Sequence, residues 1–173
     1  RRIELGGIPR TAVFSGLTGQ DYEQMAGYFD YIFPKHYYWH RGFDGLYGTV
    51  ARWVQTLCEW NPGLEEEDAF AVVAALFGIE LPQVRTLIDM EAGFSDEFFS
   101  QVVYGETRRA LAAAGADKVI CWVSTGRNPH AGDPMPTRDL LGILRASEAA
   151  GLKRFVYHPE DMGAAEWRVL STL

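Results

Sequence analysis

Side chains able to carry acid–base or binding chemistry recur in this chain at alternate positions, each time at the end of a short apolar run. Asp89 and Glu91 close the run that starts at Val84; Lys35, Tyr37 and Trp39 follow Tyr31-Ile32-Phe33; Trp122 and Ser124 end the run from Lys118; His158 and Glu160 follow Phe155-Val156-Tyr157. Residues two apart on a strand share a face, so each set would project together. Carboxyls facing an apolar helix layer would carry a severe desolvation cost, which turns Asp89 and Glu91 inward. The cup so formed holds carboxylates, a lysine and aromatic platforms, a surface that fits sugar rings with apolar C–H faces and equatorial hydroxyls. Glycoside cleavage needs one carboxyl to protonate the leaving oxygen and a second as nucleophile or base, about 5 Å or about 6.5–9.5 Å away according to stereochemistry. Glu91 is the first candidate for the catalytic carboxylate, with Asp89 or Glu160 as its partner. Lys35, Tyr37, Trp39, Asp44, Trp122, Arg127 and His158 are the candidate substrate contacts.

Each candidate also has a plainer reading. Asp89 and Glu91 would pair with Lys35 or Arg127 in an ion-pair network, and Tyr37, Tyr38 and Trp39 would cap the core or pack on neighbouring helices. His36 and His40 are four apart, a metal-ligand spacing only on a helix, and Pro34 argues for extended chain there. No metal or other cofactor is expected.

The elements that must position these groups are five runs read as strands: Thr11–Ser15, Asp30–Trp39, Val84–Glu91, Lys118–Ser124 and Arg154–Asp161. They are short and continuous in apolar character, as strands buried on both faces are. Helix signals separate them. Thr18-Gly19-Gln20-Asp21 resembles a capping box, and Tyr47, Val50, Val54 and Leu57 recur at helical spacing. Asn61-Pro62-Gly63 then breaks the chain, and Leu64–Asp68 places acids in the first turn of a helix ending at Gly78. Further helices start near Ser95 and Thr137 and stop at Gly115 and Gly151, and a last one carries Trp167 and Leu170. Residues 41–78 therefore read as an insertion with two helices on one βα unit. The loops Arg41–Gly48, with Asp44 as hydroxyl acceptor, and Arg127–Pro136, too irregular for regular structure, would border the ligand.

Alternating strands and helices imply a parallel sheet. Two architectures meet that requirement: the C-terminal part of a (β/α)8 TIM barrel, about five βα units, or a self-contained doubly wound five-stranded sheet. A doubly wound sheet asks for special residues after one or two strands, at its switch point. Chemistry after at least four favours the barrel, and Ser15-Gly16-Leu17-Thr18-Gly19 is a poor match to a phosphate loop. Residues 1–173 thus read as a single α/β domain or a partial barrel, completed by a missing N-terminal segment or by a second chain.

With 47% hydrophobic and 23% charged residues in 173, the chain has ample material for a core. Its net charge of −7 disfavours nucleic acid or an anionic membrane as partner. Cys58 and Cys121 do not form a disulfide framework, which points to a reducing, cytoplasmic compartment; buried packing is the expectation for Cys121.

The strand-end text resembles the C-terminal portion of bacterial glycoside-hydrolase-like TIM barrels, in Asp89-Met90-Glu91, in Trp122, and in His158-Pro159-Glu160-Asp161 followed by Ala165-Glu166-Trp167. The resemblance implies a hydrolase acting on a small-molecule or oligosaccharide substrate. Counted back from the last of eight strands, Glu91 falls on the sixth and Trp122 on the seventh, whereas many retaining members carry their acids on the fourth and seventh. A barrel that binds sugar without cleaving it is therefore an alternative, and so is a Schiff-base aldolase or lyase acting through Lys35.

Overall fold

A computed structural model describes residues 2–39, 42, 45–124, 126–128, 133–134, 136–157 and 164–172. In chain order the strands are β1 (Gly6–Gly7), β2 (Tyr31–Ile32), β3 (Lys35–His36), β4 (Cys121–Val123), β5 (Gly126–Asn128), β6 (Asp133–Pro134) and β7 (Phe155–Tyr157). The helices are α1 (Ser15–Thr18), α2 (Tyr22–Tyr28), α3 (Leu46–Trp60), α4 (Glu66–Phe77), α5 (Leu87–Ala92), α6 (Tyr104–Ala114), α7 (Thr137–Ala149) and α8 (Ala164–Leu170). A 3₁₀ turn over Ala12–Phe14 precedes α1, and a π-helical stretch over Phe98–Val103 runs into α6. The class is α/β. Among the described residues no helix is long and apolar enough to cross a membrane.

The pairings join four strand runs in parallel. β1 pairs with β2, β3 with β4, and β4 with β7, while the bridge Ile32–Val119 links the segment 31–36 to the next run. Ile32 N donates to Lys118 O at 2.9 Å, Ile120 N to Ile32 O at 2.9 Å and Trp122 N to Pro34 O at 2.8 Å. The runs 6–7, 31–36, 119–123 and 155–157 therefore lie side by side in chain order. The reversal of order that defines a doubly wound sheet is absent among them.

One face of this sheet carries Ile32, Val119 and Cys121, buried against Tyr22, Ala110, Leu111 and Leu152. Helices α2, α6 and α7 pack beside one another in chain order on that face, and α8 follows on α7. Full burial of a side chain such as Ile32 contributes roughly 1.5–3 kcal/mol. The alternate residues Tyr31, Phe33, Lys35, Ile120, Trp122 and Val156 point the other way and are only half buried. A larger core lies between the sheet and the segment that leads from β3 to α6, and includes Tyr38, Leu46, Val50, Phe70, Phe98 and Leu140.

His36 is fully buried at the helix-facing side. Its Nε2 lies 3.2 Å from Cys121 Sγ and its Nδ1 3.4 Å from Ser147 Oγ, and Thr107 Oγ1 donates to Ser147 Oγ at 3.2 Å. The imidazole thus ties two strands to α6 and α7. Burial alone lowers its pKa to about 3.

Two of the expected strands are not strands. Residues 12–18 form the 3₁₀ turn and α1, and the first strand lies upstream at Gly6–Gly7. A Cβ on Gly6 would come 2.1 Å from the Phe33 ring, and one on Gly7 2.8 Å from Met25. These glycines are required by close approach, which conceals a strand from a propensity reading. Residues 87–92 form α5, opened by a capping box: Thr86 Oγ1 accepts from Asp89 N at 3.2 Å and Asp89 Oδ2 accepts from Thr86 N at 2.8 Å. Two smaller differences concern boundaries. Asp21, not Thr18, caps α2, accepting from Gln24 N at 2.8 Å, and β5 and β6 pair antiparallel inside the loop expected to be irregular.

The insertion segment carries α3 and α4. The first turn of α4 holds Glu66, Glu67 and Asp68, where negative charge complements the helix dipole, and Gly78 ends it at φ 61°. Glu66 also accepts from Leu87 N at 2.9 Å.

Candidate functional site at the strand ends

The C-terminal ends of parallel strands collect the side chains that follow them, and here three converge. Lys35 and Trp122 are register partners on the half-buried face, and Tyr37, two residues on, sets its ring edge-on to Trp122 at 6.4 Å. Thr11 joins β1 to this edge by donating to Lys35 O at 3.0 Å. Ser124 is buried one alternation beyond Trp122. Lys35 and Trp122 are half-buried on this face, and Tyr37, at 7% exposure, packs behind the indole and holds it in place. A lysine thus stands beside one aromatic ring, an arrangement able to contact a polar ligand that also has a flat apolar face.

Arg10 belongs to the same edge and was invisible in the sequence reading, because the strand that delivers it is a pair of glycines. It is 5% exposed. Its Nη2 donates to Thr49 Oγ1 at 2.5 Å and its guanidinium carbon lies 5.2 Å from the centre of the Phe14 ring, while Tyr22 Oη donates to its carbonyl. Arg10 thereby ties the first strand end to α3.

The carboxylates expected to lead the chemistry stand elsewhere. Asp89 caps α5 and receives Arg85 N at 3.0 Å, and these backbone donors hold its carboxyl below the usual range. Glu91 is exposed on the same helix. The parity argument that turned both acids inward fails, because a helix separates residues two apart by about 200°. Trp39 is also misplaced as a sugar platform: at 5% exposure it stacks on Tyr47 with centroids 5.7 Å apart and lies 4.0 Å from Phe94. It seals the insertion against the core. Asp44, His158 and Glu160 lie outside the described residues, as does His40, and of Arg127 only the backbone, on β5, is described.

Glu106 is a buried acid that the sequence reading did not single out. It accepts Val13 N at 2.8 Å and Arg109 Nη1 at 3.1 Å, so it caps the 3₁₀ turn after β1 and holds it to α6. Desolvation outweighs both donors and raises its pKa. A cavity of about 250 Å³ lies between α3, α4 and residues 79–85, lined by Val50, Phe70, Val73, Ile79 and Leu81 and bordered by the Arg85–Glu67 ion pair at 3.3 Å. It contains none of the strand-end residues. Among the described residues no group of three or more potential metal ligands is gathered.

Comparison with known protein families, with curated proteins and with solved structures yields no match to this chain.

Proposed function

We propose that this chain is the C-terminal part of a (β/α)8 barrel that binds carbohydrate at the C-terminal edge of its sheet, around Lys35, Tyr37 and Trp122, as a glycoside hydrolase or as its non-catalytic sugar-binding relative. The observation that carries the reading is the convergence of those three residues on the sheet face opposite the helices. Parallel sheets are normally covered on both sides, yet Tyr31, Phe33, Ile120, Trp122 and Val156 are half exposed. Strands in chain order with their helices on one face match the wall of a barrel, and further strands, from another stretch of polypeptide or a second chain, would cover that face. Of the three acids first considered, Glu160 is the one left for a catalytic role, and a second carboxyl would come from Asp44 or from the covering strands.

Three variants test the reading. Trp122→Ala and Lys35→Met should each weaken binding of the oligosaccharide found by calorimetric screening by about tenfold, the scale of one lost stacking or charged contact. Glu160→Gln should abolish release of aryl aglycone while leaving binding intact. Failure of the unmodified protein to bind any member of a broad oligosaccharide panel would end the proposal, and unchanged hydrolysis by Glu160→Gln would remove that residue from it.

A second reading rests on Lys35 alone. Its register beside Trp122 on the inner face suits a lysine whose Nζ adds to a carbonyl carbon and expels water to give an imine. Borohydride reduction in the presence of keto acids or keto sugars, followed by peptide mass mapping, should then leave an adduct on Lys35; an unmodified Lys35 rules this reading out.

A further inference from the structure

The hairpin of α3 and α4 carries an apolar surface that the rest of the described chain leaves open. On α3, Trp53 and Trp60 are 37% and 79% exposed; on α4, Val72 and Leu76 are 46% and 60% exposed. Each pair recurs at helical spacing. At about 100° per residue, Trp53 and Trp60 are displaced from the inward face of α3 (Val50, Val54) in the same sense as Val72 and Leu76 from that of α4 (Phe70, Val73, Phe77). The helices are joined by a short turn and pack together along their length, which makes them antiparallel, and displacement in one sense then brings both pairs to one side. Trp53 standing edge-on to Phe77 at 5.5 Å marks the seam. Single exposed apolar residues are ordinary, but four large ones on one face mark a contact surface.

Charge decides the occupant. Of the charged residues on the hairpin, Arg52 and Glu59 lie seven apart on the outer side of α3 and offset each other, Glu66 is bonded to Leu87 N and Glu67 to Arg85, which leaves Glu65 and Asp68 as the exposed acids beside the apolar stripe. Glu65 and Asp68 continue the Val72–Leu76 stripe toward the start of α4. A second copy would bring these acids up against their own counterparts, and an anionic bilayer would be repelled in the same way. Aliphatic Val72 and Leu76 provide no flat platform for a sugar ring. We infer that this face docks a basic amphipathic helix of a partner protein. Its apolar residues, at helical spacing, would lie across the tryptophans and Val72–Leu76 while its lysines and arginines face the acids. The inference is independent of the carbohydrate reading, since it uses none of the strand-end residues.

The probe is a synthetic amphipathic Leu/Lys helix, titrated calorimetrically into the protein beside a scrambled peptide of the same composition and a Leu/Glu counterpart. The amphipathic basic peptide should bind, with affinity reduced about tenfold or more by Trp60→Ala combined with Leu76→Ser. Glu65→Gln with Asp68→Asn, or raised salt, should weaken it as well. All four side chains are exposed, and circular dichroism verifies that the variants keep their helix content. Equal binding of the scrambled peptide would reduce the effect to bulk charge and overturn the inference. So would binding of the acidic peptide, indifference to Trp60→Ala with Leu76→Ser, absence of binding, or a protein dimer in sedimentation that those substitutions dissolve.

Discussion

Between pH 7.5 and pH 5 the protein should lose about 2 kcal/mol of stability through His36 alone. The imidazole is fully buried between the sheet and two helices, and its pKa is depressed to about 3 from an ordinary 6.5. In that interval the unfolded chain takes up a proton that the native state refuses, so stability is full above pH 6.5 and falls as the pH is lowered toward 3. Each pH unit below 6.5 costs about 1.4 kcal/mol, up to about 5 kcal/mol across the whole window. Glu106 acts in the opposite sense: its raised pKa means that the native state binds the extra proton above the usual carboxylate range, so acidification through that range favours folding. The two are separated by comparing the protein with His36→Gln. Losing the contacts to Cys121 and Ser147 lowers the variant's stability at every pH, but only the native chain carries the His36 slope. Urea unfolding of both at half-unit intervals should give curves that converge by about 2 kcal/mol from pH 7.5 to pH 5. Parallel curves would refute the reasoning, because they would mean that His36 protonates as freely in the fold as in the unfolded chain.

Other consequences can be checked separately. Thr86→Ala removes the capping box of α5 and should cost about 1 kcal/mol in chemical denaturation, whereas Glu91→Gln, on the exposed side of that helix, should leave any sugar binding unchanged. Gly142→Ala places a Cβ 2.7 Å from the Phe99 ring, and the repacking should cost roughly 1–3 kcal/mol, read as a lower unfolding midpoint. Cys121 is wholly buried with its thiol pKa raised, and Cys58 is half-buried on α3. Under native conditions Cys58 should therefore react with a thiol reagent well before Cys121, whose modification should follow unfolding; equal rates would contradict the assigned burial.

The sequence by itself determined the elements whose signals are local. Acids in the first turn and Gly78 at the end delimit α4, and helical spacing marks α3. The runs at Tyr31, Lys118 and Phe155 read as strands because β-branched and aromatic residues cluster there. Their parity also held Lys35, Tyr37 and Trp122 to one face, since alternation is a property of any strand. Only the tertiary structure decided the rest. Gly6–Gly7 is a strand because Phe33, Met25 and Phe29 need the space that a side chain would occupy, a requirement set by residues far along the chain. Val84–Glu91 has strand-like composition, but the reciprocal bonds of Thr86 and Asp89 turn it into a helix, and with the change of period the two acids lose their shared direction. Trp39 and Trp122 are alike in sequence context, yet one is sealed by Tyr47 and Phe94 and the other is half-buried on the sheet face away from the helices. What packs against a side chain, not its type, separates core from site.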